Sequence, residues 1–347
     1  MKFGDFLFPE SSDPACDGEI IDDALAEARL CDELGMDAIW LAEHHFDGNC
    51  AYVDPLTFAA ALAVATKRAE LGFAVLQTSL YHPIRLAEQL SLLDHLSKGR
   101  LILGLGRGTF FNIYEYQGYG IDADEVQARF EEAEEILRKA WTSESFEHRG
   151  RFWNLRAPGL RPRPYTKPHP EIYRATSSES SLKDCGRQGR PILLNPQTNA
   201  TTRQRVDIYR QGMREGGFSE EDIARNVGKI WVWRSIYVGP TDAAAESVGR
   251  PAFTDDRAPK ADARSGREGA GRQAVASSCA RAARLSLWLT GDRRSRIGGT
   301  RRHRHWRCAD AVSPWRDAIR NRRRQYRAVH ARSRAAIPRQ TRGCRVN

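Results

Sequence analysis

Apolar positions along roughly the first 240 residues follow two alternating rhythms. Lys2–Phe8 is a Phe-rich strand that stops at Pro9. Ile20, Ile21, Ala24, Leu25, Ala28, Cys31 and Leu34 then fall at three- and four-residue steps, the spacing of an amphipathic helix, which Gly35 closes. Ala38–Ala42 is wholly apolar, the pattern of a strand covered on both faces. Asp54 and Pro55 supply an N-cap and a first-turn proline for a helix to about Lys67. Leu71–Leu76 reads as a third strand, His82-Pro83 opens a helix to about Leu96 that Lys98-Gly99 stops, and Leu101–Gly104 is a fourth strand. A Gly- and aromatic-rich loop over 104–120 leads to a helix from about Asp124 to Trp141. Residues 142–170 carry five prolines and read as an irregular surface excursion. Strands over Ile172–Thr176 and Ile192–Leu194 follow, with a short helix near 180–187 between them. A helix over 202–215 and a seventh strand, Lys229–Val238, complete the series. This alternation predicts a parallel sheet covered by helices, and it suits a (β/α)8 barrel, although only seven strands are legible where closure needs eight.

The pattern stops near Gly249, and charge changes the picture there. Residues 1–249 hold 28 Lys+Arg against 37 Asp+Glu, whereas residues 250–347 hold 26 against 7. The chain therefore divides into a barrel domain, 1–249, and an atypical Arg-rich tail, 250–347, in which Leu285–Leu289 is the one apolar run of strand length. Three readings of the tail stand side by side. Its Arg clusters suit phosphates; its composition suits a solvated disordered segment; and Arg, Ala, Gly and Ser with a single Lys suit a GC-rich gene translated out of frame. The last is preferred, and a nucleic-acid partner is not expected.

At 347 residues the chain needs no disulfides to stabilise its core. Its seven cysteines lack metal-binding spacing, which points to reduced thiols in a cytoplasmic protein. No apolar run approaches the roughly 18 residues of a membrane helix, and Met1–Glu10 lacks the apolar core of a secretory signal.

The chemistry concentrates where the second strand ends, at Glu43-His44-His45. Ionisable side chains outside the carboxyl ends of parallel strands occupy the usual place of an α/β active site. In extended backbone, His44 and His45 point to opposite sides, so one can face a cavity while the other anchors the loop. For the same reason the pair cannot share one metal ion, and no metal is expected. Ordinary capping or core roles are the alternative for both.

With these elements placed, three stretches resemble a known family. AIWLAEHHF, YHPIRLAEQLSLLDHLSKGRLILGLGRG and YGIDADEVQARFEE are similar to the bacterial luciferase-like flavin monooxygenases of the luciferase α-chain type. The likeness is dense over about residues 1–140 and continues more loosely through PEIYRATSSESS and GRPILLN to about residue 238. It implies a (β/α)8 barrel that binds reduced FMN, made by a separate flavin reductase, at the carboxyl ends of its strands. It implies that His44 is the catalytic imidazole beside the flavin, with Glu43 and His45 as supports. Arg107 matches a phosphate-binding arginine beside Gly106, and a guanidinium fork suits a phosphate. Thr176, Ser177, Ser178 and Ser181 match a second phosphate clamp, with a plain helix N-cap as the other reading. Ala74-Val75 matches a non-proline cis peptide against the flavin ring. Phe6 and Phe46 line the substrate side or pack as aromatic core.

Two departures accompany the likeness. Gly106 stands where the luciferase α chain has a reactive cysteine, so light emission is not implied. The family's mobile lid, eighth strand and last two helices are not recognisable after residue 240, which would leave an open seam between strands seven and one if the tail is out of frame. The resemblance implies an FMN-dependent monooxygenase that uses O2 on a small organic substrate such as an aldehyde or terpene. The rivals are a deazaflavin-dependent oxidoreductase and a non-catalytic flavin-binding or partner subunit. A homodimer is the expected assembly, with no membrane partner.

Overall fold

The computed structural model describes residues 2–236 apart from positions 12, 48, 49, 110, 111 and 177, together with 241–243, 246–247 and the backbone of 285–290. Ser177, the last two residues of the expected seventh strand and the rest of the tail lie outside the described residues. The elements below belong to one compact unit.

The strands and helices alternate nearly as the apolar pattern requires. In order they are β1 (Phe3–Leu7), α1 (Asp17–Leu34), β2 (Ala38–Leu41), α2 (Pro55–Ala65), β3 (Glu70–Phe73), β4 (Leu76–Gln77), α3 (Pro83–Ser97) and β5 (Leu101–Gly106). Then come α4 (Ile113–Gly118), α5 (Val126–Thr142), β6 (Phe146–Arg149), β7 (Asn154–Ala157), β8 (Glu171–Ala175), α6 (Glu179–Arg187), β9 (Ile192–Leu194), α7 (Asn199–Glu215), α8 (Glu220–Val227), β10 (Trp231–Ile236) and β11 (Leu285–Thr290). Local chemistry sets the boundaries. Asp54 caps α2 by accepting from the N–H groups of Leu56 and Thr57, with Pro55 in the first turn. Gly35 ends α1 and Lys98 ends α3, both in the left-handed region.

The strand pairings close a ring, β1–β2–β3–β5–β8–β9–β10–β11 and back to β1. Seven of these strands run parallel, and β11 is antiparallel to both β1 and β10. The fold is a TIM-type α/β barrel with one reversed strand. The seam expected to stay open is thus occupied, and the run Leu285–Leu289 fills it. The physical reason is that β1 and β10 each present an unpaired row of main-chain donors and acceptors, which a strand of either direction satisfies.

Alternation along the strands divides the core in two. Ala38, Trp40, Ile102, Tyr173, Leu193 and Trp231 fill the barrel with Phe6, Ala74, Val75 and Trp233. Trp40 and Trp231 meet edge to face with centroids 5.2 Å apart. Trp40 needs room on both sides: a Cβ at Gly4 would stand 2.7 Å from its Nε1, and one at Gly72 would collide with its ring. Outside the ring, Ile192 and Leu194 pack with Leu182, Tyr209, Met213, Ile223 and Val227 of α6, α7 and α8.

The structure corrects the sequence reading in four places. The strand expected over Leu71–Leu76 is split into β3 and β4, and the Ala74–Val75 peptide between them is cis. The loop over 104–120 contains α4, too short for apolar periodicity to register. The excursion over 142–170 contains the hairpin β6–β7, and α8 follows an N-cap at Ser219 with three acidic residues in its first turn. Among the described residues the four cysteines Cys16, Cys31, Cys50 and Cys185 are free thiols, and no helix is long and apolar enough to cross a membrane.

Candidate active site

The carboxyl ends of β2, β4, β5 and β8 carry the polar residues singled out by sequence. Beyond Leu41, Glu43 and His45 turn inward and are buried, while the His44 side chain keeps 30% of its surface exposed. The two histidines have different partners. His45 places Nε2 2.9 Å from Glu43 Oε1 and Nδ1 3.2 Å from the Tyr119 hydroxyl. His44 places Nδ1 3.2 Å from Oε1 of Glu115, a wholly buried carboxylate on α4. The ring of Phe8 meets His44 edge on, with centroids 5.4 Å apart.

Glu115 was not legible as a site residue, nor was the amide that joins it to Glu43. Gln77 donates its backbone N–H to Glu43 Oε2 at 2.6 Å, and its side-chain Nε2 to the Glu43 carbonyl at 3.0 Å and to Glu115 Oε2 at 2.8 Å. Oε1 of Glu115 also accepts from the His45 N–H at 3.0 Å. Burial raises the pKa of Glu115, but the hydrogen bonds from His44, His45 N–H and Gln77 outweigh it and hold the carboxyl below its ordinary range. Tyr81 donates to Glu43 Oε1 at 2.7 Å, and burial together with that carboxylate pushes its phenol upward, so it remains a donor at neutral pH.

The same short helix anchors Arg107. Its carbonyl accepts from Tyr116 Oη at 3.0 Å and from Ser79 Oγ at 3.1 Å, while its exposed guanidinium makes no hydrogen bond or ion pair with the described residues. Glu115 and Tyr116 are neighbours, so one turn of α4 fixes both the His44 loop and the Arg107 loop. β5 and β8 are in register at Leu105 and Arg174, which brings Arg107 and Thr176 off adjacent strands. Ser178 caps α6 by accepting from the Ser181 N–H at 3.3 Å, so this pair is a helix cap in the protein as it stands.

Phe6 lies in the barrel core with its ring 4.8 Å from that of Trp233, whereas Phe46 is 62% exposed at positive φ and rests on Tyr119 and Gly118. Gly106 has a steric reason: a Cβ there would stand 2.7 Å from Val75 Cγ2. At Gly104 a Cβ would collide with the Phe73 carbonyl.

Thr176 Oγ1 and Trp233 Nε1 are buried without a hydrogen bond among the described residues. Thr176 follows β8, the strand beside the one that leads to Arg107, and Trp233 packs on the barrel core with Phe6, Ala74 and Val75. A guanidinium and hydroxyl suit a phosphate, and an apolar wall with stray N–H and O–H donors suits a planar heteroaromatic ring. The residues present therefore fit a flavin mononucleotide.

Comparison with known proteins agrees with this chemistry. The luciferase-like monooxygenase family model matches residues 1–338. The oxygenase component of a flavin-dependent trigonelline monooxygenase from Acinetobacter baylyi is 30% identical over 197 residues, 56% of this chain and 54% of that one. The crystal structure of the monooxygenase RslO1 from Streptomyces bottropensis superposes with a TM-score of 0.65 at 30% identity, covering 74% of this chain and 78% of the other. The oxygenating constituent of 3,6-diketocamphane monooxygenase from Pseudomonas putida, solved with FMN, has the same fold, with a TM-score of 0.65 at 20% identity and 74% of each chain covered. The chain spans about half to two thirds of the length of the curated relatives it matches. With the family model matched along nearly the whole chain, the protein belongs to the luciferase-like monooxygenase family.

Proposed function

We propose that this chain is the oxygenase component of a two-component system, taking reduced FMN from a separate reductase and using O2 to oxygenate a small organic substrate such as an aldehyde or a terpene. The observation that carries this reading is the pairing, through α4, of a partly exposed imidazole with an arginine whose guanidinium has no partner among the described residues, at the same end of the barrel. Arg107 would hold the phosphate, with Thr176, Ser178 and Ser181 as further candidates for it; Ser177, the other candidate, lies outside the described residues. Gly106, Ala74 and Val75 would hold the flavin ring. Reduced flavin, when bound, supplies the electrons that activate oxygen. His44 takes up and returns a proton at Nε2, the ring nitrogen that has no partner among the described residues, as a general acid–base imidazole would. Glu43 and His45 hold the loop, and Phe6 and Phe46 stand on the substrate side. The wall of Phe6, Val75 and Trp233 favours an apolar substrate and keeps water from the reacting atoms.

A second copy of the chain is the proposed neighbour. Val64 of α2 and Leu92 and Leu96 of α3 are 73%, 53% and 39% exposed on two helices that pack together, apolar side chains that a homodimer would cover.

Oxygen uptake with photoreduced FMN tests the reading. The wild type should consume O2 and yield oxygenated product, and His44→Ala should lose about 100-fold or more of that turnover. Turnover of a reduced deazaflavin with no use of FMN, or activity unchanged in His44→Ala, contradicts it.

A further inference from the structure

His44 and His45 adjoin in the chain, yet a different carboxylate meets each one on a different ring nitrogen. Glu43 faces Nε2 of His45, and Glu115 faces Nδ1 of His44. The tautomer of an imidazole follows from such contacts, because a nitrogen that bonds a carboxylate must carry the proton. For His45 the outcome is plain: Nε2–H donates to Glu43, and Nδ1 accepts from the Tyr119 hydroxyl at 3.2 Å.

For His44 two neighbours compete at Nδ1. Asn112 Nδ2 and Glu115 Oε1 both lie 3.2 Å away. Glu115 decides the matter, since an ionised carboxylate has no hydrogen to give and its burial makes an unmet acceptor costly. Its low pKa, set by three hydrogen bonds working against burial, keeps it ionised at neutral pH. The amide of Asn112 has its own acceptor in the same carboxylate, 3.4 Å from Oε1. Oε1 is thus shared by donors from His44, the His45 backbone and Asn112, while Oε2 takes Gln77.

We propose that Glu115 is a positioning residue that locks His44 as the Nδ1–H tautomer, so that Nε2, which has no partner among the described residues, is the basic nitrogen offered to the reaction. The two adjacent histidines are held in opposite tautomers, one to build the loop and one to do chemistry. When Nε2 takes a proton from the reacting oxygen or substrate, the ring becomes an imidazolium whose charge faces the Glu115 carboxylate, and the same proton leaves from Nε2 when it is returned. The reaction role rests on the function proposed above; the tautomer is a property of the chain alone.

The test is 15N NMR of the ligand-free, full-length protein labelled at histidine, near neutral pH, with the His44 signals assigned by their loss in His44→Ala. The expected spectrum shows His44 protonated at Nδ1 and bare at Nε2, and Glu115→Leu moves the proton to Nε2. Oxygen uptake with reduced FMN should fall about 100-fold in Glu115→Leu while FMN affinity stays within about 3-fold of the wild type. A wild-type His44 protonated at Nε2, or a tautomer and turnover unchanged in Glu115→Leu, overturns the proposal. The wild-type spectrum decides the tautomer even where the variant fails to fold. An Nδ1–H ring in folded protein that binds no FMN upholds Glu115's role in setting the tautomer and defeats the proposed function; an Nε2–H ring in protein that turns over FMN does the reverse.

Discussion

His45 Nε2 lies 2.9 Å from Glu43 Oε1 in a buried contact, while its neighbour His44 meets a different carboxylate, Glu115. Glu43 also accepts from the Gln77 N–H and the Tyr81 hydroxyl, so one carboxylate ties the end of β2 to the residues that follow β3. Replacing Glu43 by Leu strands three buried donors. The expected loss is about 3–5 kcal/mol of unfolding free energy, read by urea denaturation. A variant within about 0.5 kcal/mol of the wild type would show that the carboxylate is not structural.

Gly104 and Gly106 differ in what an added methyl would meet. At Gly104 it collides with the Phe73 carbonyl, which is backbone; at Gly106 it meets the Val75 side chain at 2.7 Å. Gly104→Ala should therefore destabilise by more than about 3 kcal/mol. Gly106→Ala should cost about 1–3 kcal/mol and weaken FMN binding. Equal thermal denaturation midpoints for the two variants would contradict this ordering.

Asp32 gives a pH dependence with a definite sign. Its carboxylate accepts from the N–H groups of Lys67, Arg68 and Ala69 at 2.9, 2.8 and 2.7 Å. Burial raises its pKa, but these backbone bonds prevail and set it below the ordinary 3.8. A depressed folded-state pKa means that the stabilisation is fully present above the unfolded value and is lost as pH falls through the folded one. Asp32→Asn should be less stable than the wild type at pH 7 by about 1–3 kcal/mol, and the gap should narrow below about pH 4. Denaturation curves at both pH values measure it; a gap that widens in acid refutes the assignment.

The reversed strand β11 makes a prediction about the tail. Phe3 pairs with Leu289 and Trp233 with Trp288, so deleting residues 250–347 bares the edges of both β1 and β10. Aggregation and faster amide exchange in β1 and β10 are expected for the truncated chain. A truncated protein as soluble and as protected as the full chain would show that the barrel does not depend on the strand. The out-of-frame reading is tested separately, in the gene: another reading frame should encode a helix–strand–helix pattern with a parallel eighth strand.

How much of this was legible depended on what each residue does. Long elements with apolar periodicity and explicit caps, such as α2 behind Asp54-Pro55 and α3 behind His82-Pro83, could be read directly. So could the buried strand Ala38–Leu41, whose inward Trp40 and outward Ile39 are both apolar. The helix α4 could not, because it spans six residues and its most buried side chain is a charged one, Glu115. A carboxylate in an aromatic stretch gives no periodic signal; only its distance to His44 shows its use. Gln77 and Asn112 were invisible for the same reason, as neutral amides whose partners lie 38 and 68 residues away in the chain. Other candidate site residues came through the family resemblance, in the short motifs Glu43-His44-His45 and Gly106-Arg107 and also at Ala74-Val75, the 176–181 segment, Phe6 and Phe46. Phe46 is exposed and lies at positive φ, and a pattern of apolar residues encodes neither.

In the proposed function, the mouth of this barrel receives reduced FMN and directs its reaction with oxygen. Anaerobic titration of the purified full-length chain with photoreduced FMN, followed by admission of O2, addresses it most directly. Saturable binding that Arg107→Ala weakens by about 10-fold or more, with O2 uptake that disappears in His44→Ala, is the predicted result. Folded protein that takes up no reduced FMN, or that binds it equally well without Arg107 and reacts equally well without His44, would contradict the account.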